Sequence, residues 1–111
     1  MAKGNSLEEL TDPVFYILVA LVEPRHGYAI MQYVEEETDG TFKIGPATLY
    51  TIIKKLLDAG LIEAEPESEP RRKTYVTTAA GISKLEEEVE RRSRMLDLAT
   101  IVLQTKGRKG Q

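Results

Sequence analysis

The sequence predicts a mainly α-helical fold with one two-stranded hairpin and a long C-terminal helix. Three observations predict it. A helix start, an apolar stripe and a glycine stop follow one another between Pro46 and Gly60. Two strand-like runs at 61–65 and 73–77 flank a polar segment bounded by Pro66 and Pro70. Apolar residues then recur at 3–4 spacing from Ile82 to Leu103, further than a domain of 111 residues can cover.

The elements follow in order. Residues 1–6 are polar and glycine-containing, as in a disordered end, and 7–10 read as a short helical turn. Asp12-Pro13 starts the first helix, with Asp as N-cap and Pro at the first position. That helix runs from 14 to about 23. Phe15, Ile17, Leu18, Val19, Leu21 and Val22 make it apolar nearly all round, so it needs cover on more than one side. Pro24-Arg25-His26-Gly27 breaks the chain, and His26 takes a local role where the second helix begins.

The second helix spans about 28–37, offers Tyr28, Ile30, Met31 and Val34 to the core, and ends at Thr38-Asp39-Gly40. After a connector through Phe42 and Ile44, the third helix starts near Pro46 and stops at Gly60. Leu49, Ile52, Ile53, Leu56 and Leu57 form its apolar stripe, with Ala47, Thr51, Lys54, Lys55 and Asp58 roughly opposite. The hairpin is too small to stand alone and must pack on the helices. Thr78 caps the last helix, whose near-heptad seam is Ile82, Leu85, Val89, Leu96, Ala99 and Leu103, with Arg92 at the one polar position. Glu86-Glu87-Glu88 reads as a solvated face, and residues 105–111 as a flexible basic tail.

Composition narrows the function. The chain has no Cys, which excludes disulfides, thiolate metal sites and cysteine nucleophiles. No apolar run is long enough to cross a bilayer, so the expectation is a cytoplasmic protein without membrane partners. No nucleophile–base spacing, phosphate loop or metal cluster stands out, and neither an enzyme nor a cofactor is expected. The net charge of -3 is unevenly spread: base gathers at Lys43, Lys54, Lys55 and Arg71-Arg72-Lys73. An acidic body with one basic face can still bind DNA, in a salt-sensitive way.

The order helix, helix, helix, hairpin, long helix resembles a winged helix-turn-helix: mainly α, with a two-stranded wing and a long C-terminal dimerisation helix. The residues narrow the resemblance. Leu10-Thr11-Asp12-Pro13-Val14-Phe15-Tyr16-Ile17-Leu18 comes first, then Pro24-Arg25-His26-Gly27-Tyr28-Ala29-Ile30 and Ile44-Gly45-Pro46-Ala47-Thr48-Leu49-Tyr50. Lys55-Leu56-Leu57-Asp58-Ala59-Gly60-Leu61-Ile62 and Tyr75-Val76-Thr77-Thr78-Ala79-Ala80-Gly81 complete the series. Together these resemble the successive signatures of the PadR family of transcriptional regulators, over about 7–103.

The resemblance implies a DNA-binding domain over 1–77 and a dimerisation helix over 78–104. It implies a homodimer, mainly repressive, on an inverted-repeat operator. The single C-terminal helix is similar to the compact subgroup, whose members can hold flat aromatic compounds between tryptophans at the dimer centre. This chain has no Trp, so a sandwich of that form is absent.

The polar face of the third helix supplies the candidate DNA contacts. Ala47, Thr48 and Thr51 face base edges or phosphates, Lys54 reaches phosphate, and Tyr50 offers a phenol. The resemblance adds Lys43 and supports Thr48 and Tyr50. Arg71, Arg72 and Lys73 make the wing contact. The competing reading for each is a solvated side chain.

The seam residues, with Phe15 and Val19, make the candidate dimer interface, where Arg92 pairs with a glutamate or snorkels. Phe15, Val19, Met95, Leu96 and Ala99 line a candidate effector pocket, with core packing as the default for all five. A winged-helix protein-interaction adaptor without sequence-specific DNA binding is the alternative function, motivated by the acidic net charge. It predicts no continuous basic face.

Overall fold

The first helix, α1 (Asp12–Ala20), packs against the second and the last helix of the chain. The structure is a computed structural model that describes residues 9–66 and 72–107. The polar end at 1–6, the first half of the turn at 7–10, the hairpin tip at 67–70, Arg71 and the tail from 108 lie outside the described residues. Thr11, not Asp12, is the N-cap of α1, and its side chain makes no capping bond. Pro13 falls in the first turn, where backbone N–H groups have no intrahelical partner anyway.

Helix α1 stops at Ala20 rather than near 23 because other groups claim its last carbonyls. Arg25 Nη1 donates to Ala20 O, Thr77 Oγ1 to Leu18 O at 3.0 Å, and Thr77 N–H to Leu21 O at 2.7 Å. Val14, Ile17, Leu18 and Ala20 are buried, while Phe15, Tyr16 and Val19 are half-buried against the core.

The sheet has one strand more than the sequence predicts. β1 (Arg25–His26) pairs antiparallel with β3 (Thr74–Thr77), which pairs antiparallel with β2 (Ile62–Ala64), giving the order β1-β3-β2. Two residues inside a Pro–Gly break are too few to show alternation. The register sets Arg25 opposite Tyr75 and Ile62 opposite Thr77, so the wing is tied to the start of the next helix.

That helix, α2 (Gly27–Glu37), starts at His26, whose Nδ1 accepts the Ala29 N–H at 3.4 Å. Ile30 and Val34 are buried, but Tyr28 is exposed, against the expectation that it enters the core. Asp39, with φ 53°, takes the left-handed position after α2.

Helix α3 (Pro46–Asp58) buries Leu49, Ile52, Ile53 and Leu56 as the stripe predicts, with Leu57 at the margin. It ends in a Schellman motif: Gly60, with φ 76°, donates to Leu57 O, and Leu61 donates to Leu56 O, both at 3.0 Å.

Helix α4 (Ala79–Val102) starts where Thr78 Oγ1 accepts the Gly81 N–H at 3.1 Å, and continues as a π-helical turn at Leu103–Gly107. Twenty-four residues make a rod of about 36 Å. The molecule measures 58 × 37 × 21 Å, with a radius of gyration of 16.6 Å. A compact domain of this length would give about 13 Å. The buried residues of α4, Gly81, Leu85 and Glu88, all lie in its first half.

Glu88 is the main departure from the sequence reading. It is 2% exposed, not part of a solvated face. Its carboxylate accepts from Leu10 N–H at 3.0 Å, from Arg91 at 2.9 and 3.1 Å, and from Arg92 at 3.0 Å. Arg92 also donates to Asp12 at 3.0 Å and to Leu10 O at 2.6 Å, and its guanidinium lies 4.5 Å over the Phe15 ring. Burial alone would raise the Glu88 pKa. The hydrogen bonds from Arg91, Leu10 and Arg92 and the Arg91 charge outweigh it and hold the carboxyl at about 2. The same bond to Glu88 raises the Arg91 pKa. Three neighbouring glutamates look alike in a sequence. Only the chain crossing at Leu10 distinguishes the third.

Candidate nucleic-acid interface

Helix α3 presents its buried stripe to the core and Ala47, Thr48, Thr51, Lys54 and Lys55 to solvent. A groove runs along each flank of it. The first, of about 370 Å³, is lined by His26, Gly27, Tyr28, Tyr50, Arg72, Lys73 and Tyr75. It joins the start of α2, α3 and the wing. Tyr50 is 51% exposed, and its ring reaches back over Gly27, the one residue type that leaves room for it. A Cβ at Gly27 would overlap the Tyr50 hydroxyl and lie 2.8 Å from its Cζ. Burial, then the neighbouring Tyr50, push the Tyr75 phenol above its ordinary 10.0, so it stays a neutral hydrogen-bond donor.

The second groove, of about 360 Å³, is lined by Thr11, Val14, Ala47, Thr48, Thr51, Ile52 and Lys55. It lies between the start of α1 and the outer face of α3. Neither groove has a carboxylate among its described lining residues, although the chain is net acidic. The acids that flank the site are elsewhere: Glu35 holds Lys43 at 3.7 Å, and Asp58 holds Lys54 at 3.5 Å.

The structure thus sorts the expected contacts. Tyr50, Arg72 and Lys73 meet in the first groove, and Ala47, Thr48 and Thr51 in the second. Lys43 and Lys54 line neither. Arg71 lies outside the described residues. Sequence reading missed Tyr28 and Tyr75, because a tyrosine near an apolar run reads as core. It also left out Thr11 and Lys55, which only the approach of α1 to α3 places together.

The expected dimer residues divide as well. Leu85 is in the protomer's own core, and Arg92 is engaged by Glu88, Asp12 and Leu10 of the same chain. Val89, Met95, Leu96, Leu98, Ile101, Val102 and Leu103 are exposed. A groove of about 540 Å³ along α4 is lined by Ile82, Leu85, Val89 and Ser93 among others. Of the candidate effector residues, Phe15 and Val19 are half-buried, and Met95, Leu96 and Ala99 are exposed. None of the five lines the three grooves described above.

Comparison with known proteins decides the lineage. Residues 14–87 match the Transcriptional regulator PadR-like family. The chain belongs to the PadR-like family.

The solved structures agree with this PadR-like fold. A PadR family transcriptional regulator from Eggerthella lenta superposes with a TM-score of 0.70 at 29% identity, covering 85% of this chain and 83% of that one. A transcriptional regulator from Clostridium thermocellum gives 0.69 at 25%, covering 87% and 91%. Bacillus subtilis PadR, solved in complex with operator DNA, gives 0.63 at 25%, covering 73% of this chain and 48% of that larger one. Uncharacterized protein X of Lysinibacillus sphaericus is 30% identical over 93 residues, 81% of this chain and 84% of that protein. The fold is therefore the PadR winged helix: four α-helices and a small antiparallel sheet among the described residues. No helix among the described residues is long and apolar enough to cross a membrane.

Proposed function

We propose that this PadR-like transcriptional regulator binds an inverted-repeat DNA operator as a homodimer and represses by occluding the promoter. The observation that carries the reading is the outer face of α3. It is polar, flanked by two grooves without a described carboxylate, and set beside a wing that carries Arg72 and Lys73. The B-DNA major groove is about 12 Å wide, and a helix with its side chains about 10–12 Å, so α3 fills it. Ala47, Thr48 and Thr51 then face base edges. Tyr50, Arg72 and Lys73 face phosphates, and Lys43 and Lys54 add outer contacts once released from Glu35 and Asp58. The complex of Bacillus subtilis PadR with operator DNA supports the same use of the fold.

Residues 1–77 act as the reading domain and 78–104 as the dimerisation helix, in the cytoplasm. The exposed apolar end of α4 supports pairing, since a lone protomer leaves Leu96, Leu98, Ile101 and Leu103 in water. In a two-fold dimer two α3 helices enter successive major grooves about 34 Å apart. An apolar effector between protomers, near Phe15, Val19, Met95, Leu96 and Ala99, would change that spacing and relieve repression.

The test is a mobility shift on a fragment of the protein's own promoter at low salt. Binding weakened by Arg72→Ala and by Tyr50→Ala supports the reading. Absence of binding sinks it, as does binding indifferent to both substitutions. Gly27→Ala gives a finer check. Tyr50 is a flexible side chain and can swing away, so stability should stay within about 1 kcal/mol. Losing a positioned phenol should weaken promoter binding roughly tenfold, equivalent to about 1.4 kcal/mol. Unchanged affinity would remove Tyr50 from the interface.

A further inference from the structure

We propose that Thr11 and Lys55 form the contact with the second DNA strand, on the side of α3 away from the wing. The proposal rests on the DNA-binding reading above. A helix that fills the major groove lies between two phosphate ridges, one from each strand. On the wing side the expected contacts Tyr50, Arg72 and Lys73 lie together and serve one ridge. The opposite flank is an open groove between α1 and α3, and Lys55 is the only charged residue among its described lining residues.

The two neighbouring lysines of α3 differ in this respect. Lys54 is held by Asp58 at 3.5 Å and lines neither flank. Lys55 makes no ion pair among the described residues and lines the second groove with Thr48 and Thr51. Its ammonium is therefore free to take a phosphate without first breaking an internal bond.

Thr11 is poised for the same role. It sits at the N-cap of α1, where threonine normally spends its hydroxyl on the backbone, yet here the side chain makes no capping bond. The hydroxyl remains available on an exposed wall of the groove. Its backbone is firmly placed. Leu10 on one side is bonded to Glu88 and Arg92, and Asp12 on the other to Arg92. Helix α4 thus fixes the wall that Thr11 presents to α3, and a donor fixed before binding loses little entropy on meeting its phosphate.

The experiment titrates wild type, Lys55→Gln, Lys54→Gln and Thr11→Ala against two labelled duplexes across a salt series. One duplex is the promoter fragment and the other is of random sequence. A lost phosphate contact lowers the log–log salt slope by about 0.9, so one per protomer removes roughly 2 from a dimer. Lys55→Gln is expected to show that loss on both duplexes and Lys54→Gln at most half of it. Thr11→Ala should weaken both complexes several-fold while thermal unfolding stays at the wild-type temperature. An unchanged slope for Lys55→Gln, or a loss confined to the promoter fragment, overturns the proposal while DNA binding stands. Failure of the wild type to bind either duplex overturns the DNA-binding reading and this inference with it.

Discussion

Replacing Leu96 and Leu103 together with glutamate is expected to split the proposed dimer into monomers and to weaken promoter binding by roughly 10²–10⁴-fold, the range lost when a linked second site is removed. The two side chains are 66% and 65% exposed; Leu96 lies on the second half of α4 and Leu103 opens the π-helical turn that continues it. They contribute nothing to the core of their own protomer, so helical content at low protein concentration should be kept. In a dimer seam each would bury its side chain, worth about 1.5–3 kcal/mol for a fully buried leucine. Four charges introduced across a two-fold axis also repel one another. Sedimentation velocity reads the mass directly, and an anisotropy titration reads the affinity. A double variant that stays dimeric and binds normally would place the interface elsewhere, with the Ile82–Val89–Ser93 groove as the next surface to alter.

Glu88→Ala is expected to cost about 3 kcal/mol of stability, the lower end of what breaking a buried ion pair costs. The lower end applies because Arg91 and Arg92 are partly in water and can rehydrate. The Leu10 N–H cannot, since Leu10 is 3% exposed. Thermal unfolding should fall by roughly 10–20 °C for a chain of this size. Glu88→Gln keeps an acceptor for Leu10 and should lose less.

The same carboxylate makes an acid-sensitive contribution. Its folded pKa is depressed, to about 2 from an ordinary 4.5. Its stabilisation is therefore fully present above about 4.5 and is lost as the pH falls from there through about 2. At about 1.36 kcal/mol per pKa unit the depression corresponds to roughly 3 kcal/mol. The difference in unfolding temperature between wild type and Glu88→Gln should therefore narrow between pH 5 and pH 2.5. A difference independent of pH over that range would contradict the ionised clamp.

The residues explain which features were legible. Pro46, Gly60 and Thr78 punctuate the chain by local backbone chemistry, and α3 and α4 begin and end close to where those residues predict. The stripe Leu49, Ile52, Ile53 and Leu56 is a periodicity, and it is buried as such. What stayed hidden depends on chain crossings. β1 is two residues long and exists because β3 passes beside it. Helix α1 ends early because β3 and Arg25 take its last carbonyls. Glu88 is set apart from Glu86 and Glu87 by the chain crossing at Leu10 and by Arg91 and Arg92.

The candidate site follows the same rule. The polar face of α3 is written in its own period. The two grooves depend on its neighbours, so Tyr28, Tyr75, Thr11 and Lys55 went unmarked while Lys54, held by Asp58, was preferred.

Hydroxyl-radical footprinting of the protein on its own promoter tests the paired-reader account most directly. Two protected patches are expected, related by a two-fold axis and centred about 34 Å apart, one helical turn of DNA. A single unpaired patch, or uniform protection without spacing at low salt, would contradict the account.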